Sequence, residues 1–394
     1  MQKEKYKILL LLRNIILLEL LFIFGCTDQP INYEVDLVDR DGVYYKKDSN
    51  RPYTGPVFAS YDSGSIKEEG DLKDGLLSGG WIYWNEDGNK YSEETYKEGY
   101  KEGVFILYRN GQKHREGGYL DRKKHGLFTE WFDNGQKKQE GSFKEGRLSG
   151  SWIYWDEEGT MYKEETYKDG KKDGLFIEYH PNGQKSIEER WKEDVKGGLF
   201  TEWYENGQKK SEGELGDFNY KLGKWTYWKE DGGRYLEENY KEGVKNGRMI
   251  GWYPNGKKSL EQGWKNDLRD GVFIAWYEDG QKKQEGSFVN DTKNGKMTYW
   301  YVDGQKWLEE TYVDGKKSGS ITGWYPNGIK RMEENWNDGI KHGPFRQYFG
   351  NGKEKIVGNF KEGKEAGKWF EYNEEGEIER LVNYDKSSGY YYKS

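Results

Sequence analysis

The sequence predicts an all-β fold, an elongated single-layer antiparallel meander of about fourteen stacked β-hairpins. Two observations point to it: a motif recurs every 24 residues, and each copy alternates short aromatic runs with Gly-containing turns. Composition is the third: aromatic residues make up 17% of the chain, with 54 Gly and only 7 Pro among 394 residues. Aromatic and β-branched residues favour strands, and Gly favours the tight turns between them.

The repeat is defined by its opening glycine, and a period of this length must be interpreted before any single motif. Successive opening glycines lie 24 residues apart, except for 23 after Gly103 and 25 after Gly198. They are Gly55, Gly79, Gly103, Gly126, Gly150, Gly174, Gly198, Gly223, Gly247, Gly271, Gly295, Gly319, Gly343 and Gly367.

One repeat shows the predicted elements in order. Residues 150–155 (Gly-Ser-Trp-Ile-Tyr-Trp) are predicted to form a first strand, and the Asp-Glu-Glu-Gly sequence that follows predicts a turn. Residues 163–167 form a second strand, and a second Gly-containing turn leads into Gly174. Tight hairpin turns require positive φ, which Gly and Asn tolerate. A Trp-rich opening recurs at every third repeat, which indicates either a duplicated three-repeat cassette or a geometric near-repeat.

The boundaries follow from these patterns. We predict a signal peptide over residues 1–25, a tether and partial capping repeat over 26–54, the repeat array over 55–389, and a tail over 390–394. Residues 214–223 contain one extra residue and interrupt the second strand, so we expect a bulge or kink there. A departure from the repeat is also where we expect a partner to bind.

The N-terminus begins with Lys3, Lys5 and Lys7, continues with apolar residues, and ends at Gly25 and Cys26. Its last apolar run is shorter than the ~20 residues that span a bilayer. It resembles a bacterial lipoprotein signal, in which the cysteine is acylated and becomes the new N-terminus. The resemblance implies a lipid on Cys26 and a bacterial cell-envelope location with the array outside the cytoplasm. The alternatives are an uncleaved anchor and an ordinary hydrophobic N-terminus with a chance cysteine.

The order of opening Gly, aromatic pair, Asn-Gly, Glu, aromatic and Asp-Gly resembles the MORN-repeat family. It is most similar to the bacterial variant repeats of YwqK-like antitoxins, and the resemblance extends over residues 55–389. It implies consecutive hairpins that use their face for protein or membrane contacts, without catalytic residues. A lipoprotein signal departs from what a cytosolic antitoxin needs.

Two rows of aromatic residues recur at fixed places in the repeats. The first row contains Trp131, Trp155, Tyr179, Trp203, Trp228, Trp252, Trp276, Trp300, Trp324 and Tyr348. The second contains Tyr96, Phe143, Tyr167, Trp191, Tyr240, Trp264, Phe288, Tyr312, Trp336 and Phe360. Recurrence in every repeat favours cross-strand packing, because a binding site needs only a few positions. The alternative is a binding surface formed by Trp131, Trp203, Trp252, Trp276 and Trp324.

A carboxylate recurs at one place as well, in Glu69, Glu93, Glu116, Glu140, Glu164, Glu188, Glu212, Glu237, Glu261, Glu285, Glu309 and Glu333. Identical settings do not give the two different pKa values that an acid–base pair requires. We therefore predict structural glutamates paired with the Lys-rich turn or with a backbone N–H, the alternative being an acidic surface for cations or a basic partner. The four histidines lack metal-ligand spacing. Neither an enzyme nor a cofactor or metal is expected.

A net charge of −7 with interspersed signs lacks the basic field that nucleic-acid binding requires. The sequence thus favours a non-catalytic, membrane-anchored lipoprotein that acts as a protein-binding scaffold. One alternative is an antitoxin or immunity protein that neutralises a cognate toxin. Another is a cell-wall glycan binder that uses exposed Trp and Tyr side chains.

Overall fold

The structure, a computed structural model, describes residues 29–385. The signal-peptide prediction, Cys26 and the C-terminal tail from residue 386 lie outside the described residues. The described chain divides after Thr160 into two compact units, an N-terminal and a C-terminal unit. Both consist almost entirely of strands that pair antiparallel with their neighbours in the sequence, which confirms the all-β class and the meander of hairpins.

The N-terminal unit contains one short helix, α1 (Tyr33–Asp36), and thirteen strands. The strands are β1 Ile31–Asn32, β2 Leu37–Arg40, β3 Val43–Lys46, β4 Gly55–Ser60, β5 Ile66–Lys73, β6 Leu76–Trp84, β7 Lys90–Lys97, β8 Tyr100–Arg109, β9 Gln112–Leu120, β10 Lys123–Lys124, β11 Gly126–Trp131, β12 Lys137–Lys144 and β13 Arg147–Trp155. β1 runs parallel to β4, and β2 and β3 form a separate hairpin. Leu37 and Tyr53 pack with Val57 and Trp81 of the first repeats, so residues 31–54 cover the start of the array.

The C-terminal unit continues the same pattern with 23 strands. They are β14 Met161–Lys168, β15 Lys171–Tyr179, β16 Lys185–Lys192, β17 Val195–Lys196, β18 Gly198–Trp203, β19 Lys209–Leu215, β20 Lys221–Trp228, β21 Arg234–Lys241, β22 Val244–Lys245, β23 Gly247–Trp252, β24 Lys258–Lys265, β25 Leu268–Trp276, β26 Lys282–Val289, β27 Thr292–Lys293, β28 Gly295–Trp300, β29 Lys306–Val313, β30 Lys316–Lys317, β31 Gly319–Trp324, β32 Lys330–Asn337, β33 Ile340–Tyr348, β34 Glu354–Lys361, β35 Lys364–Tyr372 and β36 Ile378–Asn383. A 3₁₀ turn, Asp217–Asn219, separates β19 from β20.

The two turns of each repeat use different chemistry. In the second turn both central residues have positive φ, as in Asp169 (50°) and Gly170 (87°), which suits a tight hairpin. In the first turn only the Gly does, as in Gly135 (85°), except in the third repeat, where Asn110 (53°) and Gly111 (77°) both have positive φ. The preceding Asn134 contributes to the turn through the hydrogen bonds of its side chain and not through a positive φ. Its Oδ1 accepts from the Gln136 N–H at 2.9 Å, and its Nδ2 donates to the Glu157 carbonyl of the next repeat at 2.7 Å.

Alternation along the strands gives each sheet two faces. If the opening Gly is position 1, positions 3, 16 and 18 share one face, here called the core face. Positions 4, 6, 12 and 15 share the other, here called the tryptophan face. A bulge in the first hairpin of most repeats shifts the register, so that position 6 lies opposite position 12, as Trp131 does with Lys137.

The core face holds the most deeply buried side chains. Position 3 supplies most of them: Trp81, Phe105, Phe128, Trp152, Phe176, Trp225, Met297, Ile321 and Trp369 are all buried. At every third repeat position 16 is Gly, and the position 3 side chain of the next repeat lies directly over it. A Cβ on Gly213 would lie 2.3 Å from the Trp225 ring. Packing of a large side chain on Gly therefore gives the three-repeat period a structural basis.

The extra residue in 214–223 does not form the expected bulge or kink. It lengthens the hairpin loop, so that β19 ends at Leu215 and the chain turns through Asp217, Phe218 and Asn219. Phe218 has φ 61° and ψ 23°. A loop accommodates an inserted residue without breaking the ladder, because β19 and β20 keep their pairing on both sides of it.

Candidate functional site

The five tryptophans predicted as a binding surface all lie on the tryptophan face, at position 6, and all are partly buried. Four of them lie beneath a cationic side chain from position 12 of the preceding repeat. The cations are Lys185 over Trp203 (5.8 Å), Arg234 over Trp252 (4.3 Å), Lys258 over Trp276 (5.6 Å) and Lys306 over Trp324 (5.9 Å). These are cation–π contacts, and each occupies part of the ring that a ligand would stack on.

The recurring glutamate of position 15 pairs with that same cation, so the predicted structural ion pair is present, but the cation lies at the start of the same strand. In repeat after repeat a Lys or Arg lies three residues before the Glu on the same strand and contacts its carboxylate. The glutamates in these ion pairs are Glu93, Glu116, Glu140, Glu188, Glu212, Glu237, Glu261, Glu285, Glu309 and Glu333. Trp, Lys and Glu thus form one repeating network, which stabilises the hairpins and leaves a surface of mixed charge.

A second row of glutamates, which the sequence reasoning missed, lies on the core face at position 16. Glu238 is 7% exposed. It accepts a hydrogen bond from the Tyr240 hydroxyl at 2.6 Å and pairs with Lys245 at 2.6 Å. We call this arrangement the core triad: Glu, an aromatic donor two residues on, and Lys seven residues on. It recurs around Glu94, Glu165, Glu189, Glu310 and Glu334. The spacing Glu-x-aromatic-x₄-Lys was the signal.

The core triads shift the pKa values of their members. Burial acts to raise the pKa of Glu238, but the hydrogen bonds donated by Lys245 and Tyr240 outweigh it and hold the pKa below its ordinary value. The pKa of Glu94 is lowered in the same way, by Lys101 and Tyr96 against burial. On the tryptophan face, hydrogen bonds from Lys330 and Tyr348 lower the pKa of Glu333.

Stability is therefore expected to fall in acid. Glutamates whose folded pKa lies below the unfolded value of about 4.3 bind fewer protons in the folded chain, so their contribution is complete above that pH. It is lost as the pH falls through the lowered folded pKa. Melting temperatures recorded from pH 7 to pH 3 should be flat down to about pH 5 and then drop. A melting temperature that stays constant to pH 3 would contradict these assignments.

The loop at Phe218 is the most exposed apolar feature of the C-terminal unit. The Phe218 side chain is 95% exposed, and its positive φ is unusual for a bulky residue. Asp217 lines an open groove of about 820 Å³ together with Asp173, Arg190, Trp191 and Val195. The groove therefore combines an aromatic and an aliphatic wall with charges of both signs, beside an aromatic side chain that projects into solvent.

His180 makes a structural contact between neighbouring repeats. The His180 ring nitrogen lies 3.0 Å from the Trp203 carbonyl, in the place where Tyr204, Tyr253 and Tyr277 donate their hydroxyls to the next repeat. Over residues 29–385 no group of three or more His, Cys, Asp or Glu side chains is placed to hold a metal ion. Within the same range no helix is long and apolar enough to cross a membrane.

Comparison with known proteins agrees with the repeat. Residues 124–145, 148–169, 172–193, 196–215 and 269–290 match the family described as MORN repeat variant, so these segments are similar to MORN repeats. No curated protein matches the chain.

Among solved structures, "Crystal Structure of TcdB2-TccC3" is 9% identical with a TM-score of 0.17 and covers 88% of this chain and 22% of its own. "Structure of Photorhabdus luminescens Tc holotoxin pore, Mutation TccC3-D651A" is 12% identical with a TM-score of 0.16 and covers 85% and 22%. This chain spans about a fifth of the length of those proteins. Matches at these TM-scores support no inference about its function.

Proposed function

We propose that this chain is a non-catalytic scaffold that binds a protein partner through the Phe218 loop and the groove beside it, and that it is tethered to the bacterial cell envelope by a lipid on Cys26. The observation that carries the binding role is the exposure of Phe218 in a left-handed conformation. MORN repeats generally mediate contacts with proteins or membranes, and the segments similar to them support the same class of function.

The conformation of Phe218 is costly in the free protein. A non-Gly residue in the left-handed region costs on the order of 1 kcal/mol, and an exposed phenyl ring gains no burial in return. In the other second turns, positive φ falls on Asp, Asn, Glu, Arg or Gly. Strain that brings no internal contact is explained if Phe218 becomes buried in a complex, where an aromatic anchor surrounded by polar residues is typical of an interface centre.

The groove indicates the chemistry of the partner. Trp191 and Val195 provide an apolar floor, while Asp173, Arg190 and Asp217 provide charged walls. A protein surface with an apolar side chain flanked by charges of both signs would complement it, with the phenyl ring of Phe218 entering the partner. The tryptophan face, which carries the cation-covered rings, remains a prediction for a second contact area.

The test is Phe218→Asn in the full chain, because Asn tolerates positive φ and removes the ring. We expect the melting temperature to stay the same or rise, while capture of the partner falls at least tenfold. Partners are identified by a photocrosslinking amino acid in place of Lys192, an exposed residue of the groove, in intact cells and quantified by mass spectrometry. Val302→Asn is the matched control, since Val302 is also an exposed apolar residue in a turn.

A loss of capture in both variants, or in neither, would show that Phe218 is not the anchor. A captured secreted or neighbour-encoded toxin would favour the immunity role, and the same variant would then lose protection. Wall glycan fragments that quench Trp fluorescence equally in wild type and Phe218→Asn would instead support glycan binding on the tryptophan face.

The tether is tested separately. Metabolic labelling with a fatty-acid analogue should mark the wild type and not Cys26→Ser, and protease added to intact cells or spheroplasts should reach the array. Failure of labelling would contradict the proposed lipid anchor. It would not affect the Phe218 proposal, because the two proposals depend on different residues.

A further inference from the structure

The N-terminal unit contains a core triad that lacks its glutamate. In the complete triads a Glu is followed by an aromatic donor two residues on and by Lys seven residues on, as in Glu94, Tyr96 and Lys101. The third repeat keeps Tyr119 and Lys124 at the same spacing, but Gly117 stands where the Glu belongs. Both donors of the triad are present, and the carboxylate that they would hold is missing from the sequence.

The two donors face a cavity without an anion of their own. Within residues 29–385 neither the Tyr119 hydroxyl nor the Lys124 Nζ has a hydrogen-bond or ion-pair partner. Lys124 Nζ lies 5.5 Å from the Phe128 ring centroid and 5.1 Å from that of Phe143. In the complete triads the lysine at this place contacts a buried carboxylate, as Lys317 does with Glu310 at 2.7 Å, and after Gly286 Lys293 donates to the Tyr299 hydroxyl at 3.0 Å.

The cavity has room for more than a carboxylate. Its volume is about 470 Å³, and Phe105, Phe128, Phe143 and Trp152 form its walls. Two consecutive repeats have Gly on the core face here, Gly117 and Gly141, whereas the period of three elsewhere places only one. The Phe105 and Trp152 rings lie directly over these glycines, at 2.8 and 2.2 Å from where a Cβ would be, so aromatic rings rather than charged side chains border the cavity here.

The remaining charges on the cavity wall are balanced. Glu130 also lines the cavity, but Arg115 and Lys138 lie 3.3 and 3.5 Å from its Oε1, and Gln139 donates to its Oε2 at 2.6 Å. Its negative charge is thus taken up by two cations and an amide. Lys124 remains as the cation for which the described chain provides no counter-charge.

We propose that this cavity binds a small organic carboxylate with a flat apolar group, whose carboxylate accepts from Tyr119 and Lys124 and whose apolar part lies among the aromatic rings. The protein cannot readily supply the group itself. A Cβ on Gly117 would lie 2.8 Å from the Phe105 ring, so a glutamate there requires the ring to move. Charge-assisted hydrogen bonds in a partly buried aromatic site favour such a ligand.

The experiment is isothermal titration of the full chain with benzoate, with benzamide as the uncharged probe of the same shape. We expect saturable benzoate binding with a Kd on the order of 1 mM, and benzamide at least tenfold weaker. Lys124→Met and Tyr119→Phe should each weaken benzoate about tenfold, because each removes one charge-assisted hydrogen bond. Both substitutions keep the size of the side chain, and circular dichroism confirms the fold.

The matched controls are Lys123→Met, an exposed neighbour of Lys124, and Tyr167→Phe, which removes the same donor from a complete triad in the C-terminal unit. Neither should change benzoate affinity. Absence of benzoate binding by the wild type, equal affinity for benzamide, or unchanged affinity in both Lys124→Met and Tyr119→Phe would overturn the proposal.

Discussion

Trp225→Ala is expected to lower the opening free energy of the β19–β21 region by about 3–5 kcal/mol. The side chain is 3% exposed, lies over Gly213, and packs against the rings of Phe200 at 5.8 Å and Tyr227 at 6.3 Å. Its Nε1 donates to the Glu214 carbonyl at 3.1 Å. Truncation leaves a cavity that Gly213 cannot fill, and native-state hydrogen exchange of the amides in these strands measures the loss.

Trp228→Ala is the matched control, because Trp228 lies three residues further along β20 on the tryptophan face. Its ring is partly buried beneath Lys209, at 5.9 Å, so we expect a loss of about 1–2 kcal/mol. Equal losses for the two substitutions would mean that the two faces contribute alike to stability and that the assignment of the core face is wrong.

Lys245→Met should be the second costly substitution, with a loss of about 3 kcal/mol. Its ammonium contacts the Glu238 carboxylate at 2.6 Å and lies 5.0 Å from the Trp264 ring. Met keeps the length and the packing but leaves Glu238 buried with only the Tyr240 hydroxyl and more distant charges. An unpaired buried carboxylate is strongly unfavourable, and thermal unfolding at pH 7 detects the loss as a lower melting temperature.

Two variants separate this effect from a general loss of charge. Lys241→Met changes an exposed lysine in the same hairpin and should stay within about 0.5 kcal/mol of wild type. Adding Glu238→Gln to Lys245→Met should recover part of the stability, because the buried carboxylate is then removed. A double variant less stable than Lys245→Met alone would rule out the unpaired charge as the cause.

The row of tryptophans in the candidate site could be predicted from the sequence, but the contacts of their rings could not. The spacing of Trp131, Trp203, Trp252, Trp276 and Trp324 placed them on one row, and alternation along a strand then places them on one face. The cations over four of these rings could not be predicted, because each comes from position 12 of the preceding repeat and its place depends on how neighbouring repeats pair.

The core triads were harder to recognise. Adjacent glutamates such as Glu237 and Glu238 look alike in the sequence, yet they point to opposite faces of the strand. One pairs with Arg234 on the tryptophan face and the other is buried with Tyr240 and Lys245. A charged residue in a strand ordinarily suggests solvent exposure, so only the register shows which carboxylate is internal.

The sequence by itself determined the repeat, its strand and turn order, the fold class and the pairing of the recurring glutamate with lysine, because these depend on local turn chemistry and period-two alternation. The tertiary structure decided that the position 3 side chains form most of the buried core, where the inserted residue near Phe218 goes, and that Tyr119 and Lys124 meet without a glutamate. These depend on contacts between neighbouring repeats, whose register follows from bulges and from the shape of each side chain at the contact.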